Sequence, residues 1–230
     1  MKPKAMVKIA VDLGMTLLLM LLMAFERIGR TAHEWLGMGM FALFVVHHIL
    51  NRAWSKNLFS GTYSPYRIAQ TALVVLVFAS MLGSMVSALL ISREVFAFLP
   101  IRGGRELGRT LHMLSAYWGF VWMSLHLGLH GSVMLGMAKK VCKRPSRAVT
   151  YLLRGAAVCI VAFGAYAFVK RGIPGYMFLQ SQFVYFDFEE PLFYLFIDLL
   201  CAMGMLATLG HYGALWLRKR HQRAPKRKAV

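Results

Sequence analysis

Acidic residues are scarce: nine Asp and Glu stand against 27 Lys and Arg in 230 residues, for a formal net charge of +18. In a soluble protein that excess suggests nucleic acid. Here no aromatic-basic RNA-binding motif occurs and no polar domain is present to carry one, so nucleic acid is excluded as a partner. Charge of either sign is thin, at 16% of residues against about 25% in soluble domains. Cysteine is limited to Cys142, Cys159 and Cys201, with no C-x-x-C-H. Covalent c-type haem, an iron–sulfur cluster and structural disulfides are thereby excluded. No catalytic Ser/His/Asp set, phosphate loop or carboxylate pair stands out, so no catalytic residue is assigned.

What is present is apolar. Hydrophobic residues make up 58% of the chain, and mean hydropathy is +0.56. They gather into runs long enough to cross a hydrocarbon core of about 30 Å. The chain therefore reads as an all-α integral membrane protein, because a helix satisfies its own backbone in lipid and these runs are too long for barrel strands. Six spans are predicted, at 6–23, 33–50, 68–91, 110–137, 151–169 and 191–217. The N-terminus resembles a signal peptide, but Asp12 interrupts its apolar run and no small-residue cleavage site follows. It is expected to be an uncleaved first helix.

Most cations fall near the N-terminus, around Arg52–Arg67, in 139–154 and in the tail from Arg218 to Lys228. Arg27, Arg30, Arg93, Arg102, Arg105, Arg109, Lys170 and Arg171 lie on the other side, with most of the acids. Both termini inside is the solution consistent with the positive-inside rule. The loop 170–190 is rich in aromatics, including Tyr176, Phe178, Phe183, Tyr185, Phe186 and Phe188, as suits the outer membrane interface. Residues 1–138 are expected to form a four-helix bundle. Residues 139–230 would add two transmembrane helices, the outer loop and a basic cytoplasmic tail.

The eight histidines are not scattered. His33 and His47 in the second span are separated by the same step as His112 and His126 in the fourth. Fourteen residues leave two side chains within about 40° on one helix face and roughly 21 Å apart along the axis. The two spans run in the same direction, so His33 can meet His112 near the outer surface and His47 can meet His126 near the inner one. A pair of neutral imidazoles on opposite faces of a porphyrin makes a six-coordinate electron-transfer site. Two such pairs predict two b-type haems (iron) stacked across the bilayer.

The segment containing His33-Glu34-Trp35-Leu36-Gly37, His47 and Asn51-Arg52-Ala53-Trp54 resembles a bacterial cytochrome b-like membrane family of unknown function. That family is associated with flavin-based extracellular electron transfer. The stretch from Leu111-His112 through Ala116-Tyr117-Trp118-Gly119-Phe120 to His126 and His130 is similar to the repeat of the same unit. The likeness covers roughly 6–137, and the spacing resembles the four-helix core of di-haem cytochromes b. The resemblance implies His33, His112, His47 and His126 as axial ligands. It implies the bacterial inner membrane as location, quinone or quinol as membrane partner, and a flavinylated or multihaem protein at the outer surface.

The spare histidines leave alternatives. His130, one turn beyond His126, is a rival ligand for the inner haem. His48 points about 100° from His47, so His48 and His130 are candidates for propionates, a quinone or water, as is His211. Propionates call for cations: Arg27, Arg30, Arg105 and Arg109 outside, Arg52, Lys56 and Lys139 inside. Gly14, Gly37, Gly39, Gly83 and Gly119 would leave room for a flat macrocycle. Asp12 is expected to pair with Lys8 one turn away; Asp198 needs a partner of its own. The runner-up function is a membrane di-iron oxygenase using His47-His48 and His126-x-x-x-His130 as histidine boxes. A transporter or assembly factor with purely structural histidines comes third.

Overall fold

A computed structural model of the protein describes residues 3–101, 103–132, 136, 146–181 and 183–223. Its helices are α1 (Pro3–Leu22), α2 (Phe25–Ile28), α3 (Arg30–Leu50), α4 (Arg52–Lys56) and α5 (Pro65–Ile91), followed by α6 (Arg105–Leu129), α7 (Arg147–Lys170), α8 (Ile173–Met177) and α9 (Leu192–Arg223). No strand occurs among the described residues.

Three of the long helices begin where the sequence supplies a start. Ser64 accepts a hydrogen bond from the Arg67 amide at 3.3 Å, with Pro65 in the first turn of α5. Ser146 does the same for Val149 at the head of α7. Ahead of α6 stands Gly104 in the left-handed region, at φ +73°, which glycine enters without steric cost.

Four helices are long and apolar enough to cross a membrane: α1, α5, α7 and α9. They coincide with the first, third, fifth and sixth predicted spans. The remaining two predicted spans correspond to α3 and α6, at 21 and 25 residues, or about 32 and 38 Å of helix. Both are long enough, but both interrupt their apolar surface. Arg30, His33, Glu34, His47 and His48 do so in α3, and Arg105, Glu106, Arg109, His112 and His126 in α6. The end of the fourth predicted span, beyond residue 132, lies largely outside the described residues, as do Lys139 and Cys142.

The helices form two groups. α5, α6, α9 and α7 pack side by side in that order, while α1 and α3 pair as an antiparallel hairpin that approaches α5 and α9 only sparsely. α9 lies along α6, so the C-terminal helices are part of the same packed body. Where helices touch closely, glycine lets them. A Cβ on Gly128 of α6 would strike the Ala207 carbonyl of α9, and one on Gly164 of α7 would strike the Cys201 carbonyl. Small residues of this kind allow close backbone approach in membrane bundles.

α3 and α6 behave differently. They make almost no close backbone approach. Between them, Met40, Phe44, Met81 and Phe120 are buried in one apolar cluster. Met40 lies midway between His33 and His47 on α3, and Phe120 sits between His112 and His126 on α6. The cluster therefore separates an outer from an inner histidine level.

The loop 170–190 contains an element not predicted, the short helix α8. Trp118 of α6 donates its indole N–H to the Met177 carbonyl at 2.9 Å, and Tyr117 stacks on Tyr176 at 4.8 Å. Phe183 and Tyr185 remain exposed.

Candidate functional site

At the outer level the rings of His33 and His112 face one another from α3 and α6, with centroids 5.9 Å apart and planes at 67°. Two imidazoles on opposite sides of one transition metal, each bonded at about 2 Å, hold their centroids about 6 Å apart. The spacing fits. Phe25 closes edge-on over His33 at 5.0 Å.

The orientation of His112 is set from α5. Ser87, fully buried, donates its hydroxyl proton to the Ser84 carbonyl at 2.9 Å. Its oxygen is then an acceptor for His112 Nδ1–H at 3.0 Å, and the Ser84 carbonyl adds a longer contact at 3.3 Å. With the proton on Nδ1, Nε2 carries the lone pair, the form in which imidazole binds metal. His33 Nδ1, by contrast, is buried without a hydrogen-bond partner among the described residues, an orphaned ring nitrogen that is compatible with a ligand role.

Glu34, beside His33, does something sequence reasoning did not anticipate. Its carboxylate accepts hydrogen bonds from the Ser92 hydroxyl at 2.6 Å and from the Arg93, Glu94 and Val95 amides at 3.0 Å each.

At the inner level His47 Nδ1 lies 2.7 Å from Asp12 Oδ1 on α1. Asp12 does not pair with Lys8 as predicted. The antiparallel α1–α3 hairpin sets residue 12 opposite His47 and residue 8 opposite Asn51, so Lys8 donates to Asn51 Oδ1 at 2.8 Å instead. Asn51 Nδ2 donates to the His47 carbonyl at 2.9 Å and makes a long contact of 3.4 Å to His47 Nε2. A carboxylate on Nδ1 is the usual partner of a metal-binding histidine.

The other inner histidines divide by direction. His48 donates from Nδ1 to the Phe44 carbonyl at 3.0 Å and packs against Phe44 and Phe78, facing α5. His126 and His130 have centroids 4.8 Å apart on α6; His126 Nδ1 is buried without a partner, whereas His130 is exposed at the helix end. His126 thus meets His130 along its own helix, without the ring-to-ring meeting across helices seen at the outer level. His211 of α9 sits against Gly131, where an added Cβ would meet its Nδ1 at 2.8 Å.

Cations are distributed less simply than predicted. Arg52 and Arg109 are exposed, as are Arg30, Lys56 and Arg105. Arg27 is held elsewhere: it donates to the Asp187 and Phe188 carbonyls at 3.1 Å and lies over the Phe188 ring. Arg218, read from sequence only as a tail cation, stacks over Tyr66 at 4.0 Å. Asp198 finds its partners in Lys170 at 2.9 Å and Arg171 Nε at 2.7 Å.

Among the described residues no group of three or more His, Cys, Asp or Glu side chains converges as a bare metal ion requires. Two facing imidazoles suit a metal that brings its own equatorial ligands. The roles of Ser84, Ser87, Glu34 and Asn51 were missed because they depend on which helix lies opposite; serines at i and i+3 in an apolar helix were the available hint. Compared with family models, curated proteins and solved structures, the chain matches none.

Proposed function

We propose that this chain is a membrane electron carrier holding two b-type haems, one between His33 and His112 and one between His47 and His126. The observation that carries the reading is the outer pair: two imidazoles at the separation one iron requires, with His112 Nε2 left free by the Ser87 contact to Nδ1. A haem bound at each level supplies a one-electron couple without an open coordination position.

The chain's own residues do the rest. Ser87 and Asp12 hold His112 and His47 in the Nδ1–H form. Met40, Phe44, Met81 and Phe120 fill the space between the two levels and exclude water. The levels are separated by roughly 21 Å of helix, most of the hydrocarbon thickness. On this reading α3 and α6 join the four apolar helices as spans, and both termini are cytoplasmic in a bacterial inner membrane. Quinol is the electron donor and a flavinylated or multihaem protein at the outer surface the acceptor, as the resemblance of the histidine segments implies.

The test is a visible spectrum with a pyridine haemochrome assay on the purified protein. Expected are two b-type haems per chain, with one lost in His112→Ala and the other in His126→Ala. A colourless protein from haem-replete cells would overturn the reading, and iron without porphyrin would favour the di-iron alternative.

A further inference from the structure

We propose that Glu34 is a positioning residue for the outer histidine pair, locking the outer end of α3 onto the turn that ends α5, the helix that also holds His112. The inference rests on the haem reading above. Four donors converge on one carboxylate: the Ser92 hydroxyl and three consecutive amides, Arg93, Glu94 and Val95. Ser92 in turn accepts from the Phe96 amide at 3.0 Å, so the turn is closed around the contact. Hydrogen bonds to an ionised acceptor are roughly twice as strong as neutral ones.

The placement gives the contact its consequence. α3 packs chiefly on α1 and approaches α5 only sparsely, so little else ties its outer end to the other helix group. His33 is the next residue along. A turn of α3 by a single position would swing its ring by about 100° and take it out of line with His112. Both imidazoles are thus referred to one helix, His112 through Ser84 and Ser87 and His33 through the Ser92–Val95 turn. The chemistry is specific to a carboxylate. Only two acceptor oxygens receive four donors, whereas a glutamine turns an N–H₂ against an amide N–H.

The experiment uses the full chain in nanodiscs, comparing wild type, Glu34→Gln, Glu34→Ala, His33→Ala and the exposed control Glu189→Gln by redox titration and haem content. Helix content is followed by circular dichroism. Glu34→Ala is expected to fall from two haems per chain to one, losing the same redox wave that His33→Ala loses. Glu34→Gln is expected to keep both haems with that wave alone displaced, and Glu189→Gln to match wild type. Glu34→Gln is nearly isosteric and keeps the test open if Glu34→Ala does not fold. A coloured wild type whose Glu34 variants keep two haems at unchanged potentials overturns the proposal. A colourless wild type overturns the haem reading instead. The clamp is then judged by spin labels at Thr31→Cys and Leu107→Cys in a chain otherwise free of cysteine. Broadening of that distance in Glu34→Gln supports it, and an unchanged distance overturns it.

Discussion

The hydroxyl of Ser87 gives its proton to the Ser84 carbonyl and so becomes the acceptor for His112 Nδ1–H. Removing it leaves only the longer Ser84 contact, and the imidazole tautomer is no longer enforced. Loss of such a partner costs about 10–100-fold in metal-site affinity. Ser87→Ala is therefore expected to weaken haem retention at the outer level about tenfold, read by competition with apomyoglobin. Asp12→Asn tests the matching contact at the inner level. It keeps the shape and removes the charge beside His47, so the inner haem should be lost more readily and the outer one left as in wild type. These partners were hidden for one reason. A serine or aspartate in an apolar run announces that it needs a partner, but the partner is chosen by the helix opposite. Asp12 shows it: Lys8 is its neighbour along α1, yet His47 is its neighbour across the hairpin.

Helices come into contact where the sequence places its smallest residues. Of the five glycines read as room for a macrocycle, four have a neighbouring helix within 4 Å of an added Cβ. Gly14 meets Leu43, Gly39 meets Leu18, Gly83 meets Ser115 and Gly119 meets Ser80; only Gly37 has open space beside it. The glycines that matter most for packing are others. An added Cβ at Gly128 collides with the backbone of α9, which has no flexible end to move aside. Overpacking of this kind costs about 1–3 kcal/mol, so Gly128→Ala is expected to lower the thermal midpoint in detergent by several degrees. Gly213→Ala, with nothing within 4 Å, should leave it unchanged. The four most apolar helices, α1, α5, α7 and α9, were legible as runs long enough to cross a membrane, and α3 and α6 were legible as helices though not as uninterrupted apolar runs. Helix α8 was not legible, since its five residues include Pro174, Gly175 and Tyr176, which suit an interfacial loop equally well.

At the scale of the whole molecule, the distribution of cations predicts an orientation by the positive-inside rule, and ion pairs hold one end of the bundle together. Single cysteines at Ser60→Cys and Ser181→Cys should react with an impermeant maleimide from opposite sides of sealed vesicles, and labelling of both from one side would contradict the topology. The outer end of α7 is tied to the start of α9 by Arg171, paired with Glu190 at 2.6 Å and with the buried Asp198. Arg171 beside Glu190 holds that carboxyl below its ordinary 4.5. A carboxyl whose pKa falls on folding contributes fully above its unfolded value, and the contribution is lost as pH drops through the folded value. The thermal midpoint should therefore decline below about pH 4.5, and Glu190→Gln should flatten that decline. By itself the sequence determined the helical, membrane-borne class and the two matched histidine steps, because length, hydropathy and the 3.6-residue turn are local properties. Only the tertiary structure decided which nitrogen His112 and His47 leave free, that Asp12 lies against His47, and that Glu34 meets the turn after α5, because each depends on side chains far apart in sequence meeting across a helix interface.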